Sequence, residues 1–526
     1  MEKVVAAVDE LEDGDVKGVE VGEVEVLLVK LDGEFYAVGG ECSHFGAPLA
    51  DGVIHNGRVR CPWHQACFDA VSGEMEEPPG LDALSKFEAR QEGGKVIVTV
   101  PEGSTGETRP EMVEKDLNQD DRVFVIVGGG AAGISAAETL RTSGFQGEIK
   151  LVTREENPPY DRTQLSKVRM SKNLKSIPTL RSEELYEEAD IDLMTGTEVT
   201  GIDKVEKQVS LKRGKNLSYD KLLIATGSEP NDLPVPGTDK ENVFKLRTPG
   251  DLSEINQAAE SGSHALVVGS SFIGMETAVS LHERGLDVTV VSLSSVPFEE
   301  VLGEEIGELY RKTHLEKGVN FELNSKVKSF EGNGRAEELE LQDGTSLPAD
   351  FFVLGVGVSP ATGFLDGKFE LNDDGGLSVD SGMKVEEDVY AAGDVASFPY
   401  WATGEEVRIE HWRLAQQHGR LAGKNMAGMD EEYESVPLFW TNQFDIYLRY
   451  IGYADSWDEV IFDGEVSEKN FVAYFVGENQ VQAVAGVNVN QKMAALSELI
   501  LEDELPDPET IRSNGFEPIK KLRELG

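Results

Sequence analysis

Cys42-Ser43-His44 and Cys61-Pro62-Trp63-His64 place one thiol and one imidazole on each of two short loops, with residues 45–60 between them. A zinc finger usually groups its ligands as a Cys pair and a His pair. A [2Fe-2S] centre with two Cys on one iron and two His on the other is served by two matching mixed loops. The pattern favours the iron-sulfur reading over zinc, with Cys42, His44, Cys61 and His64 as the ligands. Four unrelated core residues are the plain alternative, but the chain holds only three Cys and eight His, and chance would have to gather four of them into two loops. His55 has no such company and reads as an ordinary histidine.

The third cysteine is Cys67, so nothing beyond it can carry thiol chemistry or a disulfide framework. Five hundred and twenty-six residues exceed one ordinary core of about 100–200 residues, which predicts several domains. The 97 acidic against 49 basic residues give a net charge of -48. That excludes nucleic acid as a natural partner, because phosphate contacts depend on Lys and Arg. No apolar run reaches the roughly 18 residues of a spanning helix, and the start, MEKVVAAVDELEDGD, lacks a basic region and an apolar signal core. A cytoplasmic protein is expected.

Residues Glu23 to Val38 alternate apolar and polar around Asp32-Gly33, a hairpin pattern, and the strand pattern KVIVTV follows Gly93-Gly94. The first hundred residues read as all-β. Residues 102–120 carry Gly, Pro, Ser, Thr and charge without an apolar period and read as an exposed tether. From residue 437, strand-like runs lead into the helix-like KMAALSELI, a small mixed module.

Between them lie two strand-turn-helix openings. In the first, Gly128, Gly130 and Gly133, with Ala132 before the last, form GxGxxG between the strand VFVIV and the helix ISAAETLR. There the glycines let backbone amides and a helix N-terminus approach a pyrophosphate. Glu155, about twenty residues on, stands where an acid accepts from a ribose hydroxyl. The second opening has Gly269, Ser271 and Gly274, so a serine replaces the middle glycine. Its second strand ends at Ser292 where NAD sites usually carry an acid, with no Arg nearby for a 2′-phosphate. NADH versus NADPH stays open, with NADH favoured by the acidic surroundings.

The loops CSHFGAPLADG and CPWHQACFDAVSGE resemble those of the Rieske ferredoxin family. From residue 121 onward, LLIATGSEP with Ala225 and Gly227, YAAGDVASFP with Gly393 and Asp394, and PPYDRTQLSK with Arg162 and Lys167 resemble the FAD- and NAD(P)H-dependent ferredoxin reductase and apoptosis-inducing-factor group of the pyridine nucleotide-disulfide oxidoreductase fold. The combination is similar to the apoptosis-inducing-factor-like proteins that fuse the two.

The resemblance implies a multidomain fold. An all-β Rieske sandwich spans 1–101 and a linker 102–120. An α/β FAD-binding domain occupies 121–240 and 361–436, an NAD(P)-binding domain is inserted at 241–360, and an α+β C-terminal domain covers 437–526. It implies FAD, a [2Fe-2S] cluster and NADH or NADPH, with Asp394 on the ribityl chain and Arg162 and Lys167 beside the flavin. Glu276 is implied to pair with Lys167 at the hydride site as the catalytic pair, with Trp412 and Trp440 among the aromatics on the flavin's far side. Respiratory Rieske proteins carry bridging cysteines where this chain has Ala47 and Trp63, and hydroxyls where it has Ala66 and Phe68. Losing those hydroxyls predicts a cluster potential at the low end of the Rieske range, roughly -150 mV.

The expected function is electron transfer from NAD(P)H through FAD to the Rieske cluster and on to an unidentified acceptor. Two alternatives come from other classes: an NADH oxidase whose Rieske module is fed from elsewhere, and a redox-gated, apoptosis-inducing-factor-like interaction protein. A homodimer is an open partner of any of them.

Overall fold

In a computed structural model, every residue is described except Lys175, Asp366, Asn514 and Gly526. The expected hairpin forms from Val24–Leu31 and Glu34–Gly39, turning at Asp32 and Gly33. It lies in a six-stranded antiparallel sheet with Val16–Val21, Lys86–Glu92, Lys95–Thr99 and Glu2–Ala7. Alternation along Val24–Leu31 is two-sided. Leu27 and Val29 join the apolar cluster around Cys42, Cys61 and Phe68, while Val26 and Leu28 join a second cluster with Phe35, Val96 and Val98. A four-stranded sheet of Val53–His55, Arg58–Arg60, Cys67–Asp69 and Met75–Glu77 carries the second Cys/His loop.

The first nucleotide unit builds a six-stranded sheet ordered Ile191–Met194, Glu148–Val152, Val123–Val127, Lys221–Ile224, Val389–Ala391 and Lys384–Glu386. Its strands are parallel except the last pair. The chain leaves this sheet after Ile224 and returns at Lys384. Between, it forms a five-stranded parallel sheet of Val243–Lys245, Phe351–Leu354, His264–Val268, Asp287–Val291 and Asn320–Glu322. Continuous apolar strands such as Phe124–Val127 and Ala265–Val268 are buried on both faces, as parallel sheets require. A five-stranded antiparallel sheet, Leu438–Gln443, Ile446–Gly452, Gln480–Val487, Asn470–Gly477 and Glu459–Glu465, is backed by helix Asn490–Leu501, and helices Pro508–Arg512 and Pro518–Leu525 follow. No helix among the described residues is long and apolar enough to cross a membrane.

The 102–120 segment is largely exposed, as expected of a tether, but it is pinned at several points. Glu107–Thr108 pairs with Ala83–Leu84, Ser85 donates to the Gly106 carbonyl, and Val113 and Asp116 donate to the carbonyls of Arg141 and Gln146. A Cβ on Gly39 would stand 1.8 Å from the Gly106 oxygen, so the segment lies tightly along the first module as far as Thr108 and then runs along the first nucleotide unit. Backbone hydrogen bonds hold it, and these leave no apolar period in a sequence.

The first module is docked on the rest of its own chain through buried ions. Arg60 pairs with Glu77 and, from helix Asn490–Leu501, Glu498; Arg58 reaches Glu77 at 2.6 Å; and Arg413, on helix Trp412–Ala427, pairs with the same Glu77 and donates to the Pro78 carbonyl at 2.8 Å. Burial alone would raise Glu77. The guanidiniums of Arg60, Arg413 and Arg58 outweigh it and hold the carboxyl far below the usual carboxylate range. Arg181 adds a second clasp to Asp82 at 2.6 Å and Glu138 at 2.8 Å.

Candidate redox active site

The two Cys/His loops fold alike. Cys42 donates its N–H to the Ala47 carbonyl and Cys61 to the Ala66 carbonyl, five residues on in each case. The N–H groups of His44 and Phe45 face the Cys42 sulfur, and those of Trp63 and His64 face the Cys61 sulfur. Both thiols are buried at the base, and His44 Nδ1 lies 3.1 Å from His64 Nδ1 at the rim. Burial pushes His44 down to about 4 and His64 also well down, keeping both imidazoles in the neutral form that can ligate a metal. Among the described residues no three His, Cys, Asp or Glu side chains surround one ion-sized point. A two-iron cluster asks for less, two protein ligands per iron, and the donor set fits it: buried sulfurs with amide donors on one side, converging ring nitrogens on the other.

Cys67 is fully buried outside the apolar cluster that holds Cys42 and Cys61, near the ions Arg60 and Glu77, and burial pushes its thiol up to about 12. Ala66 and Phe68 are fully buried and bring no hydroxyl, while the nearby Ser43 hydroxyl donates elsewhere, to the Asp82 carbonyl. His55 is buried beside Glu502.

A cavity of about 650 Å³ opens over the first nucleotide turn, lined by Gly128, Gly130, Ala132, Glu155, Arg162, Ala225, Gly227, Gly393, Asp394 and Trp412. Gly128 has φ +120°, and a Cβ there would stand 2.1 Å from the Ala225 carbonyl oxygen. Gly133 lies behind the cavity, its hydrogen turned to the Gly128 carbonyl. The Gly128 N–H is tied to the Val152 carbonyl at 2.8 Å, and with no Cβ at Gly128 and Gly130 the backbone itself lines the cavity beside the N-terminus of helix Ala131–Thr142, where a dinucleotide pyrophosphate can approach it. Glu155 accepts from Arg162 at 2.6 Å and from the Tyr160 hydroxyl at 2.7 Å; Asp394 accepts from Ser228 at 2.6 Å. Arg247, which no motif marks, lies beside Asp394 at 3.5 Å and lines this cavity too.

An adjoining cavity of about 390 Å³ is lined by Lys167, Ser271, Glu276, His411, Phe439 and Trp440. Lys167 Nζ is 2.9 Å from Glu276 Oε2, which brings together two residues far apart in sequence. Gly269 and Gly274 repeat the close packing of the first turn: a Cβ on Gly274 would meet the Gly269 oxygen at 2.2 Å. Ser271 is exposed and donates to the Gly355 carbonyl at 3.3 Å, and Ser292 turns inward to Ser270, oxygen to oxygen 2.7 Å.

The Rieske-like tip meets this second cavity at Trp440. Its ring centroid lies 4.4 Å from that of His64 and 6.0 Å from that of His44.

Family comparisons agree with this division of labour. Residues 122–419 match the pyridine nucleotide-disulphide oxidoreductase model, 1–88 the Rieske [2Fe-2S] domain and 438–523 the reductase C-terminal domain. Apoptosis-inducing factor 3 of Mus musculus is 39% identical over 513 residues, 95% of this chain and 84% of that protein. The benzene 1,2-dioxygenase system ferredoxin--NAD(+) reductase subunit of Pseudomonas putida is 30% identical over 408 residues, 76% of this chain and 98% of its own. The crystal structure of the ferredoxin reductase for the CYP199A2 system from Rhodopseudomonas palustris superimposes with a TM-score of 0.73 at 27% identity, covering 76% of this chain and all of that one. FAD, a [2Fe-2S] cluster and NAD(P)H are accordingly the cofactors of this protein. Fold, cavities and relatives together establish that the chain belongs to the pyridine nucleotide-disulphide oxidoreductase family, as an NAD(P)H-dependent flavin oxidoreductase of the ferredoxin-reductase kind that carries its own Rieske [2Fe-2S] domain.

Proposed function

We propose that electrons drawn from NAD(P)H at the flavin pass within one chain to the Rieske cluster, and from there to an external one-electron acceptor. The observation that carries this reading is the seat of His64 on Trp440, whose ring also walls the cavity of Lys167 and Glu276. When bound, FAD supplies the exchange between two-electron hydride chemistry and single electrons, and the cluster holds one electron at a time.

The chain's own groups set this up. The first glycine turn binds pyrophosphate, Asp394 and Glu155 take sugar hydroxyls, and Lys167, fixed by Glu276, offers an ammonium beside the reacting ring. Cys42 and Cys61 hold one iron, His44 and His64 the other. With no cysteine after Cys67, electrons cannot leave through a thiol pair. Because donor and acceptor sites face each other within one chain, a homodimer is not needed for this route. The acceptor is best matched by a carrier with a basic face, complementary to a surface of net charge -48, in the cytoplasm where reduced nicotinamide is at hand.

Anaerobic mixing with NADH or NADPH, followed separately by flavin absorbance and by the cluster's electron paramagnetic resonance signal, tests the route. Cluster reduction should follow flavin reduction without added carrier. A flavin that bleaches while the cluster stays oxidised overturns it.

A further inference from the structure

Three side chains converge on the Glu276 carboxylate. Ser166 Oγ donates to Oε2 at 2.5 Å, Lys167 Nζ reaches the same oxygen at 2.9 Å, and Thr441 Oγ1 donates to Oε1 at 2.8 Å. Behind Thr441, Gln443 Nε2 donates to the threonine oxygen at 3.1 Å. A hydroxyl has a single proton, so the Gln443 amide, by occupying a lone pair of that oxygen, leaves the proton free to point at Glu276. Glu276, Thr441 and Gln443 are all buried.

A buried carboxylate is stable only when both oxygens are satisfied. Lys167 and Ser166 serve Oε2 alone, and they come from the loop before helix Val168–Ser171. Thr441 is the partner of Oε1 and comes from a different domain, on strand Leu438–Gln443. Without it Oε1 would be an unpaired acceptor in a dry site, and the carboxylate would be free to rotate about its terminal bond. The lysine ammonium sits on a flexible four-carbon stem and has two anchors, the Thr163 carbonyl at 3.0 Å and the Glu276 carboxylate at 2.9 Å, so the orientation of the carboxylate sets one of the two.

We infer that Thr441, oriented by Gln443, is a positioning residue: it locks the Glu276 carboxylate in the rotation that keeps Lys167 beside the reacting ring. The inference rests on the reading of Lys167 and Glu276 as part of the hydride site.

The test uses the full-length holoprotein. Infrared difference spectra of wild type against Glu276→Gln mark the Glu276 carboxylate band. Thr441→Val, which keeps the shape and removes the hydroxyl, should displace that band, and Thr441→Ser should restore it. In single-turnover mixing, Thr441→Val should slow flavin reduction by NADH about ten- to a hundredfold, the loss of one hydrogen bond to a charged group, with the dissociation constant for NADH within about twofold of wild type. Thr441→Ser should return most of the rate. Where Thr441→Val does not fold, Gln443→Met removes only the donor behind the hydroxyl and should move the band in the same direction by less. A band and a rate both unchanged in Thr441→Val overturn the inference. If Glu276→Gln itself reduces its flavin at the wild-type rate, the hydride-site reading falls, and the band still decides whether Thr441 holds the carboxylate.

Discussion

Arg449 donates its Nε–H to the carbonyl oxygen of Trp63 at 2.6 Å. The acceptor lies inside the second ligand loop, between Cys61 and His64. The donor is the cross-strand partner of Trp440. One guanidinium therefore fixes the height of the loop over the very residue its histidine touches, and the seat of the cluster site is set by the strand pair rather than by the linker.

Trp440 fills the space between the His64 ring and the second cavity. Trp440→Ala is expected to slow cluster reduction at least tenfold while flavin reduction by NADH stays within about threefold of wild type, since the hydride pair is left in place. Rapid-mix absorbance for the flavin and freeze-quench resonance for the cluster separate the two steps. Equal slowing of both would assign the indole to the nicotinamide site instead.

Glu77 joins Arg58, Arg60 and Arg413 at the domain junction. Removing one member of such a buried network leaves unpaired charge and costs about 3–5 kcal/mol, so Glu77→Gln should loosen the first module and lower its melting midpoint. The folded-state value of Glu77 lies below its unfolded one. Its contribution is thus complete above the ordinary glutamate value near pH 4.3 and drains away as pH falls toward the folded one. The gap between wild type and variant in melting curves from pH 7 to pH 3 should hold down to about pH 4 and narrow below it. A constant gap through that range would remove Glu77 as the titrating group.

Cys67 is buried, with its thiol up to about 12. Cys67→Ala should keep full iron content and the wild-type resonance spectrum, with stability down by no more than about 1–2 kcal/mol for a small truncation in the core. In the native protein Cys67 should resist alkylation at pH 8, where almost none of it is thiolate. Mass spectrometry after a timed iodoacetamide pulse reads this directly, and rapid labelling would contradict it.

Ser292 stands at the end of strand Asp287–Val291, bonded to Ser270, and residues 292–300 hold no Lys or Arg and two Glu. A 2′-phosphate would find no cation on this segment. NADH is expected to reduce the flavin with at least tenfold better efficiency than NADPH, and Ser292→Arg to narrow the gap. Single-turnover rates over a range of each coenzyme decide it.

What could be read in the sequence was local. CxH and CxxH, the two glycine turns and the ATG and GD segments each concentrate their chemistry within a few residues, because a ligand loop or a phosphate turn is a short backbone device. What could not be read joins distant positions. Arg60 and Glu498 are 438 residues apart, Arg413 and Glu77 336, and Thr441 and Glu276 165. None sits in a pattern that a single chain displays. Residues 102–120 look free for the opposite reason: their contacts are made by amides and carbonyls that every residue owns. Arg247 shares that invisibility, a lone arginine after an ordinary strand, placed by the fold against Asp394.

The buried ions at the junction also decide the kinetic order of what happens inside. Two separate redox proteins must meet before an electron moves, so their transfer slows on dilution and changes with ionic strength. Here Arg60 and Glu498 are buried and Glu77 nearly so, which shields their pairing from dissolved salt and seats the cluster site beside Trp440. On the proposed route the internal step is first order in protein at any concentration, and ionic strength acts only on the later meeting with whatever takes the electron away.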